Sequence, residues 1–383
     1  MLKEAMNYFD HAATSPIYPE VLDILSKSLR EDFANPSSQH LLGHALKENI
    51  DQIRMDFMRR LKAKSDDHFY FTSSATESNN TVIRGLSFME GDSILFSRAD
   101  HPSVVAPIEF VANQKKLNLI EIPLESDGTI NLEKFIALLD PSIKLVALTS
   151  VNNQSGVIND IDSLARLVKE KTKAHIHLDA VQSFGKIPLV LNPAIDSLSI
   201  TAHKIGGPKG IAGLFLKKNH AVSALLLGGG QENGFRSSTE AYPLILAFHT
   251  AMKLSTTNLE VELARLRLLN DFIHSQLSAE IPSLLTPFKK TSPYIFSFLL
   301  PGISSDIVLR HLERREIYIS STSACSSRKT GFNPSLFAMG IPEHYHKNFL
   351  RISLGRTSSE QEVERLMAEF KKVWSDIKHL KGK

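Results

Sequence analysis

Ser197-Leu198-Ser199-Ile200-Thr201-Ala202-His203-Lys204-Ile205-Gly206-Gly207-Pro208-Lys209-Gly210 reads as a short β-run ending in hydroxyl, imidazole and amine groups, broken by glycine and proline. Upstream, His175-Ile176-His177-Leu178 is a second such run and closes on Asp179. Further runs of the same kind occupy residues 68–71, 93–96, 119–122 and 145–148, with helical patterns at 132–139 and 163–168 between them. β-runs alternating with amphipathic helices predict an α/β fold whose mostly parallel sheet is covered on both faces. Such sheets bind ligands outside the carboxyl ends of their strands. Polar clusters fall at those ends, after Phe71, Phe96, Leu148, Leu178 and Ile200.

From about residue 255 the pattern changes. A long helical stretch begins at Leu259, β-runs follow at 294–299 and 317–319, and Ser358-Ser359-Glu360 opens a last helix as a capping sequence. We expect a large domain over 15–254 and a smaller α+β domain over 255–383, joined by residues 1–14. At 383 residues the chain is long enough for both. A net charge of +3, with basic residues scattered, argues against direct nucleic-acid binding, and the tail at 377–383 reads as a solvated end. No apolar run approaches a membrane span, and residues 1–7 lack a signal-peptide core, so a cytoplasmic protein is expected. A single cysteine excludes an internal disulfide and a multi-cysteine metal site, and no metal is expected.

A lysine in a loop beside an acid at a strand end suits pyridoxal 5'-phosphate chemistry. Lys204 would hold the cofactor as a Schiff base, and Asp179 would keep the pyridine nitrogen protonated so that the ring acts as an electron sink. Taken alone, Lys204 also reads as a solvated lysine, and Asp179 as the cap of a helix starting near Ala180. Residues 72–80 follow a strand and open a helix, where free N–H groups and the helix dipole favour phosphate; a plain serine/threonine cap is the alternative. Thr201 and His203 would complete that phosphate site. His101 would stack on a cofactor face and move protons, or be structural. Asn152, Asn153 and Gln182 offer neutral donors at strand ends, or turn and cap contacts. Arg351 has the fork geometry to clamp a carboxylate, or to form a surface ion pair. Cys325 lies among small polar residues beside Arg328 and Lys329, which favour its thiolate; a buried thiol is the alternative.

Residues 8–14, 35–38, 72–80, 151–153, 179–183, 203–210, 228–232 and 323–325 together resemble the ordered motifs of the cysteine desulfurases, in the class V aminotransferase group of fold type I. The resemblance spans nearly the whole chain and implies removal of sulfur from L-cysteine, giving alanine and a persulfide on Cys325. It implies Lys204 as the Schiff-base lysine, Asp179 as the pyridinium partner and His101 as the stacking residue. Ala75, Thr76, Thr201 and His203 would hold phosphate, and Thr239 would reach the phosphate of the neighbouring subunit in a homodimer. Asn153 and Gln182 would contact the cofactor ring, and Asn35 and Arg351 the substrate carboxylate. A sulfur-acceptor protein, such as a cluster scaffold or a tRNA thiolation enzyme, would be the partner. The chain departs from the family pattern at Gln154 (usually Glu), Ala212 and Ser238 (usually Gly) and Thr322 (usually Gly). Another aminotransferase or β-lyase, or a non-catalytic sulfur-transfer scaffold, are the rival readings.

Overall fold

The computed structural model describes residues 6–321 and 332–380. The strands are β1 (Asn7–Tyr8), β2 (His68–Thr72), β3 (Ser93–Phe96), β4 (Asn118–Glu121), β5 (Ile143–Thr149), β6 (His175–Asp179), β7 (Ser197–Thr201) and β8 (Ala212–Leu216). Beyond them come β9 (Ile295–Leu299), β10 (Ile317–Tyr318), β11 (Ser320–Ser321) and β12 (Phe349–Ser353). The helices are α1 (Pro19–Glu31), α2 (Leu41–Leu61), α3 (Ala75–Gly85), α4 (Pro102–Lys115), α5 (Leu132–Leu138) and α6 (Ile161–Lys171). They continue with α7 (Tyr242–Thr256), α8 (Leu259–Glu280), α9 (Ser305–Glu313), α10 (Pro334–Ala338) and α11 (Glu360–Ile377).

One sheet runs in the order β2-β8-β7-β6-β5-β3-β4. β8 is antiparallel to both neighbours, and every other pair is parallel. Strands buried on both faces carry continuous apolar runs: in β5 only Lys144 is exposed, and every residue of β7 and β8 is buried. The consequence for function is directional. β2, β3, β5, β6 and β7 all end on the same edge, so Thr72, Phe96, Thr149, Asp179 and Thr201 converge there. β8 was not among the expected strands, because Gly213 interrupts its short run. A Cβ at that position would lie 2.3 Å from the Phe69 ring, so the close crossing of β2 and β8 requires glycine.

The main core packs α2 onto this sheet, with Phe57 stacked on Phe69 at 4.8 Å between ring centroids and Phe248 of α7 at 4.7 Å. A second core joins α8, α9 and α11 to the antiparallel sheet β11-β12-β9, centred on Leu350, Phe298 and Phe370. α11 buries Val363, Leu366, Met367, Phe370, Val373, Trp374 and Ile377, a three-and-four spacing that places one stripe inward. Its first turn closes with a capping box between Ser359 and Glu362, as the sequence pattern indicated. β1 pairs with β10, after which the chain crosses toward the strand ends of the large sheet. Among the described residues, no helix is long and apolar enough to cross a membrane.

Candidate active site

Asp179 ends β6 and is buried, and both of its carboxylate oxygens accept hydrogen bonds. Oδ1 accepts from the Val181 N–H at 3.0 Å and Oδ2 from Asn79 Nδ2 at 3.2 Å. No helix begins at Ala180. The chain instead makes consecutive turns through Lys186, with Gly185 at φ +69°, so Asp179 braces a turn. One strand over, β7 ends at Thr201 and a single 3-10 turn, Ala202–Lys204, presents Lys204. Its Nζ donates to the carbonyls of Ala12 and Ala13, each at 2.6 Å. The loop then doubles back at Gly206, φ +80°, where an added Cβ would meet the Tyr18 ring at 2.3 Å. Only glycine accommodates both that backbone angle and that contact.

His101 follows β3 and caps α4 with its own ring: Nδ1 accepts from the Ser103 N–H at 3.1 Å. Its pKa is lowered, first by desolvation in the cleft; Asp179 pulls it up and Lys204 pushes it down. Charges from both strand ends therefore reach this ring, and desolvation, the largest effect, favours its neutral form. His203 is pushed down to about 4, by burial first and then by Lys204, Lys186 and Lys209, and its Nδ1 lies 3.2 Å from Thr14 Oγ1. Thr201 is buried, with Oγ1 3.4 Å from the Ile211 carbonyl. Ala75 and Thr76 form the first turn of α3, behind Ser74, whose Oγ accepts from the Glu77 N–H at 3.1 Å. First-turn N–H groups have no intrahelical acceptor and carry the positive end of the helix dipole.

Gln182 is buried and fully engaged. Its Nε2 donates to the Ala12 carbonyl at 2.8 Å and its Oε1 accepts from Lys186 Nζ at 2.9 Å. Arg351, on β12, donates through Nη1 to the Asn153 carbonyl at 2.6 Å and through Nη2 to Asp10 Oδ1 at 2.7 Å. Its buried Nε has no hydrogen-bond partner among the described residues. Asn152 is a turn residue: Nδ2 donates to the Ala99 carbonyl, and Oδ1 accepts from the N–H groups of Gln154 and Ser155. Asn35 is exposed, with Oδ1 accepting from Ser37 N–H of its own turn, and Thr239 is exposed on the loop after Arg236. Cys325, with Thr322, Arg328 and Lys329, lies outside the described residues.

The sequence reading gave no role to Asn79, His177, Lys186 or Asp10. Asn79 sits inside the 72–80 run, and His177 shares a strand face with Asp179 at a spacing of two, which was the available signal. Lys186 is buried and its pKa falls well below the ordinary value, by burial first and then by Lys204 and Arg351.

An amine, a braced carboxylate, a neutral imidazole and a helix N-terminus thus share one sheet edge, and the class-V aminotransferase profile matches residues 7–366. The chain belongs to the class-V aminotransferase family. Members of this family use pyridoxal phosphate, and this class-V protein is a pyridoxal phosphate-dependent enzyme. It is 32% identical to a cysteine desulfurase of Cereibacter sphaeroides, over 94% of this chain and 93% of that protein. Among solved structures it resembles a NifS-like protein at TM-score 0.90 and 28% identity, covering 97% of this chain and all of the other. It also resembles SspA in complex with cysteine, at TM-score 0.79 and 27% identity, over 92% of this chain and all of that one.

Proposed function

We propose that this protein is a cysteine desulfurase that takes sulfur from L-cysteine, releases alanine and leaves a persulfide on Cys325. The observation that carries the reading is the placement of Lys204 and Asp179 at neighbouring strand ends, with His101 sensing both charges. The cysteine desulfurase relatives and the cysteine complex of a similar structure support the choice of substrate.

The residues present fit the cofactor. Lys204 supplies the amine for covalent attachment, and Asp179 an acceptor for a ring N–H, its carboxylate fixed by two donors. Ala75 and Thr76 supply first-turn N–H groups for phosphate, with Thr201 and His203 alongside. When bound, pyridoxal phosphate supplies an electron sink for bonds at the substrate's α-carbon. Gln182 and Asn153 would flank the ring. Arg351 would take the substrate carboxylate through its guanidinium fork, with Asn35 contributing. Cys325 would attack the substrate sulfur as a thiolate and hand it to an acceptor protein, a cluster scaffold or a tRNA thiolation enzyme. The exposed Thr239 would reach the cofactor phosphate of a second subunit in a homodimer, and the largely exposed Leu227 of the same loop supports docking there. We place the enzyme in the cytoplasm, with cofactor domain 15–254 and a small domain formed by 255–383 with 1–14.

Borohydride reduction of the holoenzyme followed by peptide mapping tests the assignment. The reduced cofactor should be attached at Lys204; attachment at Lys209, or at no lysine, would overturn it.

A further inference from the structure

A chain of buried hydrogen bonds runs behind the site, and each donor and acceptor in it can be assigned from chemistry. Asn79 is fully buried and contacts Asp179 Oδ2 at 3.2 Å, Ser103 Oγ at 2.9 Å and His177 Nε2 at 2.9 Å. A carboxylate oxygen accepts, so the Asn79 atom facing Asp179 is the amide nitrogen, and its oxygen faces His177. The opposite flip would set oxygen against oxygen in a buried place. His177 Nε2 therefore carries a proton and donates to Asn79 Oδ1. His177 is neutral, pushed down to about 3 by complete burial and then by His175. Its Nδ1 is thus a lone pair, accepting from Ser197 Oγ at 2.8 Å, and Ser197 in turn accepts from His175 Nε2 at 2.7 Å.

The other branch reaches the active site. Asn79 Nδ2 donates its second proton to Ser103 Oγ, so the Ser103 hydroxyl proton points to its remaining neighbour, His101 Nδ1, at 2.8 Å. The Ser103 backbone N–H donates to the same nitrogen at 3.1 Å. Two donors on one ring nitrogen leave no room for a proton there. Nε2 is the remaining polar atom of the ring, and His101 as a residue is exposed at the strand ends.

We propose that Asn79, Ser103 and His177 are positioning residues that lock His101 in a single tautomer, with Nδ1 proton-free and Nε2–H presented to the cleft. His101 then meets ligands as a hydrogen-bond donor and offers them no basic lone pair. It parallels neutral histidines used as electrophiles rather than as bases. The same Asn79 amide orients Asp179, so one side chain sets both the ring-nitrogen acceptor and the imidazole. The consequence for turnover rests on the cysteine desulfurase reading: the substrate α-proton must go to another base, and Lys204 Nζ is the amine at hand. The tautomer itself does not depend on that reading.

The test is 15N–1H correlation NMR of holoenzyme labelled at the histidine ring nitrogens, with His101 assigned by the resonance lost in His101→Gln. Wild-type His101 should be neutral with its proton on Nε2. Ser103→Ala should shift a measurable fraction to the Nδ1–H form, and Ser103→Thr should restore the wild-type pattern. An Nδ1–H tautomer in the wild type would overturn the proposal, as would a Ser103→Ala spectrum with His101 unchanged. The readout is the proton's position, so a failure of the desulfurase reading would show in turnover assays and leave this result interpretable.

Discussion

Replacing Glu232 by Gln should destabilise the protein far more than loss of a surface ion pair. Arg54 projects from α2 with 13% of its side chain exposed, and Glu232 has 3%. The pair is bidentate, Nη1 to Oε2 at 2.7 Å and Nη2 to Oε1 at 3.2 Å, and Oε2 also accepts from the Phe71 N–H at 3.0 Å. Arg54 further donates to the Phe69 carbonyl and lies over the Phe71 ring. Glu232 raises the Arg54 pKa against the opposing effect of burial, so the guanidinium stays charged. Glu232→Gln keeps the shape and removes the bidentate counter-charge, leaving the half-exposed Asp51 at 3.7 Å as the remaining acid. Stripping one partner from a buried pair costs about 3–5 kcal/mol, and because Gln can still accept one bond we expect the lower end, about 3 kcal/mol. Urea unfolding at fixed protein concentration measures this. Glu232→Gln/Arg54→Met should recover most of the loss, since two neutral partners leave no stranded charge. Because Glu232 ties the loop bearing Thr239 to β2, cofactor retention should weaken as well. A loss below about 1 kcal/mol, the range of exposed pairs, would refute the reasoning.

On the proposed role of Asp179 as partner of the ring nitrogen, Asp179→Ala should lower turnover far more than it weakens cysteine binding; steady-state and binding assays that moved together would contradict this. Acid should destabilise the fold through His177, whose pKa drops from 6.5 to about 3 on folding. The folded state holds it neutral, so its contribution is intact above pH 6.5 and is lost as pH falls toward 3, by at most roughly 3 kcal/mol at pH 4.5. His177→Gln should flatten unfolding free energy against pH across that window, and curves parallel to wild type would contradict it. Ser359→Ala should cost about 1 kcal/mol by opening the capping box of α11, read as a lowered unfolding midpoint.

The parallel strands were legible because burial on both faces demands uninterrupted apolar runs, and β3 matched to the residue. Asp179 and Lys204 stood out because they are polar groups at the ends of such runs. β8 escaped because Gly213 looks like a strand-breaker until Phe69 is seen against it. The alternative reading of Asp179 as a helix cap arises because an acid before Ala-Val-Gln-Ser is an acceptable cap by local rules alone, whereas the chain there makes turns. Asn79 and His177 remained hidden for a different reason. Asn79 lies within a run of polar residues, and the spacing of two that sets His177 on the face of Asp179 names no partner, so their role appears only when distant partners close the chain. The tautomer of His101 is likewise a property of neighbours from α3 and α4, which no local pattern encodes.

The measurement that bears most directly on the central claim follows L-cysteine through wild-type enzyme and Cys325→Ser, with products quantified and the Cys325 peptide weighed by mass spectrometry. The account predicts alanine as the carbon product, one added sulfur on the wild-type Cys325 peptide, and neither persulfide nor sulfide from Cys325→Ser, which should still bind the cofactor. Pyruvate in place of alanine, or undiminished alanine release from Cys325→Ser, would contradict it.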